Sequence, residues 1–234
     1  MIVAIMQPYF FPYIGYFQLM HAADVFVFLD DVQYIDRGWV NRNQVELEGR
    51  LAWLTMPVEK ASRDLSINQR KFLLDQGVAP IKRKLQAAYP NKVAAPGWQL
   101  IGNLLDFPRA NVAGFNENLL REIAGELSIR CELLVSSQLG IDPGLRGQDR
   151  IIAICRRLGA SHYINPIGGV ALYEGQRFLD SGIRLSFLRT TSMPNQSEKG
   201  PVHLSIIDDL IRAGVPAARS KLAEFTLQSP CVVP

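Results

Sequence analysis

The sequence predicts an α/β protein: a parallel sheet whose strands come from both ends of the chain, with a β-hairpin and a helical insertion between them. Three observations lead there. Two apolar runs, Ile2–Met6 and Val25–Leu29, enclose a short helical pattern that ends at Ala22-Ala23-Asp24. The same alternation of short apolar runs and helical spacing returns after Cys131, while the stretch between holds mostly helical patterns. Polar or glycine-rich residues follow these runs, and a parallel sheet binds its ligands at the carboxyl ends of its strands. The expected architecture is a Rossmann-like sheet in one domain over residues 1–234, with the helical insertion at about 70–128.

The elements follow in order. The first run stops at Gln7-Pro8, and an aromatic stretch from Tyr9 to Tyr13 leads to Gly15 and a helix. The second run ends in Asp30 and Asp31. Arg42–Leu47 and Leu51–Met56 flank Glu48-Gly49-Arg50, the pattern of a hairpin with a glycine turn. Residues 57–77 are polar and basic and read as loop with some helix. A helix is expected at about 78–89, stopped by Pro90, and another from Pro96-Gly97 to about 106. Over 111–126, Val112, Phe115, Leu119, Leu120, Ile123 and Ala124 recur at helical spacing. Cys131–Val135 is a short strand, and Arg146–Leu158 a helix with Gly159 as its stop. His162–Ile164 is a buried strand ending at Asn165-Pro166. Phe178–Ser181 is a short helix, Ile183–Phe187 a last strand, and Leu204–Ala213 a last helix ended by Gly214 and Pro216.

A chain of 234 residues, 48% of them apolar, can bury a large core. The net charge of +3 is too mild to predict nucleic-acid binding by itself. It is unevenly spread. Residues 1–36 hold four aspartates and no Lys or Arg, whereas residues 37–84 hold ten Lys or Arg against five acids. That segment reads either as a cationic surface or as an ordinary solvated face. The three cysteines, Cys131, Cys155 and Cys231, are far apart, which argues against zinc and a disulfide framework. No apolar run approaches the length of a membrane span, and Gln7-Pro8 cuts the first run too short for a signal peptide. A cytoplasmic protein without membrane insertion is expected.

Several clusters carry chemistry. Gly15 opens a helix after a strand, where free N–H groups and the missing side chain would admit a phosphate; the alternative is an aromatic plug of Tyr13 and Tyr16 on a glycine turn. Adjacent Asp30 and Asp31 point opposite ways, so they are not simply a metal pair. One could orient an amine or a ribose while the other pairs with Arg37 or Arg42, or the two could merely end the strand. Gln33, Tyr34, Arg37, Trp39, Asn41 and Arg42 follow closely: guanidinium forks for phosphate or carboxylate, an indole to stack on, and an amide to read polar groups. Asn165, Gly168 and Gly169, followed by Tyr173, form either a ligand cradle or a plain turn. Ser205 and Asp208 share a helix face, as ligand contacts or as a cap. No resident metal site is expected, since His and Cys do not cluster.

The first strand–loop–helix resembles that of nucleotidylyltransferases and of pantothenate synthetase, in which an HxGH motif binds ATP phosphates. Here Tyr13 and Tyr16 stand at the histidine positions. Over nearly the whole chain the sequence is similar to the WbqC-like family. The resemblance rests on Met6-Gln7-Pro8-Tyr9-Phe10-Phe11-Pro12-Tyr13-Ile14-Gly15-Tyr16-Phe17, Ala23-Asp24, Leu29-Asp30-Asp31-Val32-Gln33-Tyr34 and Trp39 with Asn41-Arg42-Asn43. It continues through Trp53-Leu54-Thr55-Met56-Pro57-Val58, Tyr163-Ile164-Asn165-Pro166-Ile167-Gly168-Gly169 and Leu204-Ser205-Ile206-Ile207-Asp208. That family occurs in bacterial O-antigen and related polysaccharide clusters and has been suggested to include glycine transferases. The resemblance implies acyl or aminoacyl transfer, amide-forming, onto an amino sugar or similar amine. ATP with Mg²⁺ is one candidate activator, and a charged tRNA, held by the basic middle segment, another donor. On this reading Gly15 holds phosphate and Arg37 and Arg42 bind phosphate or carboxylate. Asp30 or Asp31 orients the amine, and Gln7, Tyr13, Tyr16, Gln33, Tyr34, Trp39, Asn41, Asn165, Gly168, Gly169, Ser205 and Asp208 contact a small-molecule or nucleotide-sugar substrate. The alternative is a noncatalytic nucleotide- or nucleotide-sugar-binding assembly protein.

Overall fold

The computed structural model describes residues 1–197 and 200–230; Cys231 lies outside them. In chain order the elements are β1 (Ile2–Met6), α1 (Ile14–His21), β2 (Val25–Phe28), β3 (Arg42–Leu47), β4 (Arg50–Thr55), α2 (Leu74–Ala88), α3 (Pro96–Leu105), α4 (Val112–Glu126) and β5 (Glu132–Val135). They continue as α5 (Gly147–Leu158), β6 (His162–Pro166), α6 (Gly175–Asp180), β7 (Arg184–Thr190), β8 (Asn195–Ser197), β9 (Gly200–Val202), α7 (Ile206–Arg212), α8 (Val215–Ser220) and β10 (Phe225–Gln228).

Six strands form the main sheet in the order β10-β7-β6-β1-β2-β5. All neighbours are parallel except β10, which runs antiparallel to β7. β1 is central. The chain first builds outward to β2 and β5, then returns to the other side of β1 with β6 and β7. The direction of winding therefore reverses between β1 and β6, and their carboxyl ends diverge into a crevice.

Both faces of the sheet are covered, and the strand sequences read as continuous apolar runs for that reason. Side chains alternate between two cores. Ala4, Phe26, Phe28 and Ile164 share one with Phe17 and Leu19 of α1, Phe115 and Ile123 of α4, and Ile207 and Leu210 of α7. Val3, Ile5, Val27, Tyr163 and Leu185 share the other with Ile151, Ile154 and Cys155 of α5 and Phe178 of α6. Cys155 is the small buried hydrophobe its apolar surroundings predict.

The hairpin β3–β4 forms its own two-stranded sheet, and its turn carries positive φ at both Glu48 (51°) and Gly49 (76°), the two-residue geometry that matches strand twist. Gly214 and Pro216 do more than end a helix. Gly214 takes φ 85°, and Pro216 sits in the first turn of α8, where its missing N–H costs nothing. β10 is an edge strand of largely exposed residues, held in place from within: the buried Gln18 amide of α1 donates to the carbonyls of Lys221 (2.8 Å) and Glu224 (3.0 Å) just before it. Among the described residues no helix is long and apolar enough to cross a membrane.

Candidate functional site

The crevice at the switch point has a volume of about 460 Å³, within the usual range for a small-molecule site. Gln7, Tyr9, Tyr13 and Tyr16 line it from the β1–α1 connection and the start of α1, Asn165, Gly168, Gly169 and Tyr173 from the end of β6 and the segment after it, and Trp39 from the loop after β2. The three loops expected at one sheet edge thus meet there.

Local chemistry fixes each wall. The Tyr16 hydroxyl donates to the Gln7 carbonyl (2.9 Å), holding the chain where β1 ends. The Asn116 amide, fully buried on α4, donates to the carbonyls of Pro8 (2.8 Å) and Val40 (2.7 Å), and the Phe10 N–H donates to the Trp39 carbonyl (2.9 Å). The loops after β1 and β2 are therefore stitched together. Phe11 takes φ 42°, a left-handed conformation unusual for an aromatic residue; its carbonyl is held by Asn43 Nδ2 (2.9 Å) and the Ser205 hydroxyl (2.7 Å). On the far wall Asn165 Oδ1 accepts from the Tyr163 hydroxyl (2.9 Å) and its Nδ2 donates to the Pro166 carbonyl (3.1 Å). Glycine at 169 makes room for that amide, since a Cβ there would fall 2.0 Å from Asn165 Nδ2.

Among the described residues no charged side chain lines the crevice. Burial pushes the hydroxyls of Tyr9, Tyr13, Tyr16 and Tyr173 above the ordinary tyrosine range, so they stay neutral. The site offers aromatic faces, hydroxyls and amides. That chemistry suits an uncharged ring bearing hydroxyl or amide groups.

Gly15 serves the aromatic wall. A Cβ there would lie 2.3–2.6 Å from the Tyr13 ring, so the ring occupies the space that glycine leaves. The Tyr13 ring covers the start of α1 where a phosphate would sit, so this end of the helix does not fit an ATP phosphate.

The Arg37-to-Arg42 segment divides between two cavities. Trp39 faces the crevice and packs on Trp53 (5.6 Å between rings), over which the Arg42 guanidinium lies at 4.1 Å. Arg37, Asn41 and Arg42, with Tyr34, line a second cavity of about 520 Å³. Lys60, Arg63 and Arg70 complete it, and the sequence signalled them only as part of a basic stretch. Asn41 Nδ2 donates to the Met56 carbonyl (3.0 Å), and Arg42 donates to the Arg37 carbonyl.

The remaining expected residues are engaged elsewhere. Asp30 is 3% exposed. Its Oδ1 accepts from the Ser137 N–H (3.0 Å) and its Oδ2 from the Ser137 hydroxyl (2.7 Å) and Asn68 Nδ2 (2.9 Å). Asp31 pairs with the buried Arg150, not with Arg37 or Arg42, and accepts from the Ser136 hydroxyl (2.7 Å). Both carboxylates lock the loop after β2 to the segment after β5, and neither lines the crevice or the second cavity. Gln33 donates to the Arg63 carbonyl (3.0 Å). Ser205 caps α7, accepting from the Ile207 N–H (3.3 Å). Asp208 accepts from the Tyr89 hydroxyl (2.9 Å) and Arg212 Nε (2.8 Å) and lines a separate cavity of about 170 Å³.

One residue had no sequence signal at all. Glu117, half-buried on α4, is pushed up to about 7 by burial and then by the charge of Asp30, and it in turn acts on the Tyr16 hydroxyl. A carboxyl that changes charge near neutrality thus stands behind the crevice wall. Among the described residues no group of three or more His, Cys, Asp or Glu side chains is placed to hold a metal. A further concavity, about 750 Å³, is an open groove between α5 and α6 whose Arg177 is already paired with Asp149.

Residues 7–220 match the model of the WbqC-like protein family. A protein of Mycobacterium tuberculosis (strain ATCC 25618 / H37Rv), described as "Uncharacterized protein Rv1507c", is 28% identical over 190 residues, which is 79% of this chain and 80% of that one. No solved structure matches the chain. With most of its length covered by the family model, including β2, β6 and the loops that line the crevice, though neither β1 nor the edge strand β10, the chain belongs to the WbqC-like protein family.

Proposed function

We propose that this protein binds the sugar of an amino-sugar nucleotide in the switch-point crevice and transfers an acyl or aminoacyl group, such as glycyl, to its amine, in bacterial polysaccharide biosynthesis. One observation carries the reading: neutral tyrosine, tryptophan and amide groups line the crevice at the point of the sheet where two loops diverge. Pyranose rings present apolar faces to aromatic side chains and hydroxyls to amides, and an uncharged amine would enter such a site without the desolvation cost of an ammonium ion.

In the reaction, the amine nitrogen attacks the donor carbonyl, the new C–N bond forms, and the bond from the carbonyl to the donor's leaving group breaks. The leaving group departs with the electron pair of the broken bond and takes up, through solvent, the proton that the amine gives up. Asn165 and the tyrosine hydroxyls would orient the ring. Because the start of α1 does not fit a phosphate, no step is assigned to ATP; the donor is a preformed activated acyl group, of which aminoacyl-tRNA is one class.

A second reading is favoured by the same wall. A crevice whose described lining holds no carboxylate, imidazole or cation suits a noncatalytic nucleotide-sugar-binding assembly protein. Incubating the protein with UDP- or dTDP-amino sugars and an activated glycyl donor distinguishes them. Transfer predicts a product heavier by one acyl group; the binding reading predicts affinity without any change in mass. Failure of every such sugar to bind at millimolar concentration refutes both.

A further inference from the structure

The second cavity carries an inference of its own. Its walls hold five cations, Arg37, Arg42, Lys60, Arg63 and Arg70, against two carboxylates, Asp36 and Glu59. Arg70 is the informative one. It is only 6% exposed, yet its guanidinium donates to two main-chain carbonyls, Ser62 (2.9 Å) and Glu59 (3.2 Å), and rests over the Tyr34 ring at 4.9 Å. No described carboxylate forms an ion pair with it. Among the described residues its Nε has no hydrogen-bond partner, and neither have the buried Nε of Arg42 and Oδ1 of Asn41. Buried guanidinium groups are ordinarily paired, because a buried charge without a counterion is costly. Among the described residues no carboxylate pairs with Arg70, while four more cations line the same cavity.

We infer that this cavity is a phosphate-binding subsite that takes the phosphomonoester or diphosphate group of a small ligand. Four arginines and a lysine line this one cavity, guanidinium groups match the geometry of phosphate oxygens, and the number of cations exceeds what a single carboxylate needs. The chain that lines it, Arg37 to Arg42, passes through Trp39 of the crevice, so the two cavities share one loop. The inference deepens the proposed function only in assigning where the phosphates of a nucleotide sugar would go; the subsite itself stands on the cation cluster.

The test therefore uses inorganic pyrophosphate alone, titrated calorimetrically into the full chain, so that it is independent of sugar binding. Pyrophosphate is expected to bind, and Arg70→Gln to weaken it by about tenfold or more, the loss of a charge-assisted contact. The exposed pair Lys60→Gln/Arg63→Gln should weaken it comparably, and keeps the test decisive if Arg70→Gln fails to fold. Arg156→Gln, which removes a cation from the distant α5–α6 groove, should leave it unchanged. No pyrophosphate binding at millimolar concentration, or equal loss in Arg156→Gln, overturns the subsite. So does tRNA binding that depends on these residues while pyrophosphate does not bind, which would make the cavity part of a nucleic-acid surface.

Discussion

Asp30 separates a structural account of this sheet edge from a catalytic one. Its carboxylate accepts three hydrogen bonds, at 2.7, 2.9 and 3.0 Å, from two segments far from it in sequence, and its own carbonyl accepts a fourth from the Asn68 N–H (2.9 Å). Asp30→Ala deletes the first three and leaves the Ser137 and Asn68 donors without their acceptor. Hydrogen bonds to a charged group are worth roughly 1.5–3 kcal/mol each. They share one carboxylate, so they do not add in full, and the released desolvation cost of the buried charge offsets part of the loss. The expected net destabilisation is about 3–5 kcal/mol, the range for breaking a buried charged network. Against a typical total of ~5–15 kcal/mol this is large. Urea unfolding followed by tryptophan fluorescence and far-UV dichroism should show the midpoint lowered with its slope unchanged. Asp30→Asn keeps the shape but turns an amide N–H toward a donor, and should fall between. A wild-type midpoint in Asp30→Ala, combined with lost ligand binding or turnover, would refute this reasoning and return the carboxylate to the reaction.

Two further predictions follow from the same neighbourhood. Glu117 releases its proton near its ordinary 4.5 when unfolded and near 7 when folded. Between those values the unfolded state holds fewer protons, so stability falls as pH rises through that window and stays lower above it. Glu117→Gln should therefore stabilise the protein by about 1 kcal/mol above pH ~8, a value discounted for partial exposure, and do nothing below the unfolded value; equal midpoints at both pH values would contradict it. Gly15→Ala drives a methyl group into the Tyr13 ring and should cost about 1–3 kcal/mol of stability. Weakened sugar binding with unchanged pyrophosphate binding should accompany it, and an unperturbed melting curve would show that the ring does not depend on the glycine.

The sheet was legible because β1, β2, β6 and β7 are short apolar runs bounded by breakers, and the hairpin because Glu48-Gly49 supplies two residues that tolerate positive φ. β10 was not, since Phe225–Gln228 is a short, largely exposed edge whose strand conformation comes from pairing with β7. The crevice walls at Gln7, Tyr13, Tyr16, Trp39, Asn165, Gly168 and Gly169 were visible as polar and aromatic residues after strand ends. What could not be read was which polar groups were already spent. The sequence offered Arg37 or Arg42 as a partner for one of the two aspartates, but Asp31 pairs with Arg150, whose position depends on the docking of α5. Gly15 looked like a phosphate cradle, but its space belongs to Tyr13. Glu117 and Arg70 acquire their character from burial alone, and single residues in α4 and in a basic stretch carry no pattern that announces it.

The central claim is that the neutral switch-point crevice is the ligand site, and calorimetric titration of UDP- and dTDP-amino sugars into the wild-type chain and Trp39→Ala tests it most directly. Trp39 is 44% exposed and presents its ring to the crevice, so its loss should leave the fold intact. The account predicts that at least one of these sugars binds and that Trp39→Ala weakens it by about tenfold, the worth of one aromatic stacking contact. Binding of equal strength in the two proteins, with both folded, would place the ligand elsewhere and contradict it.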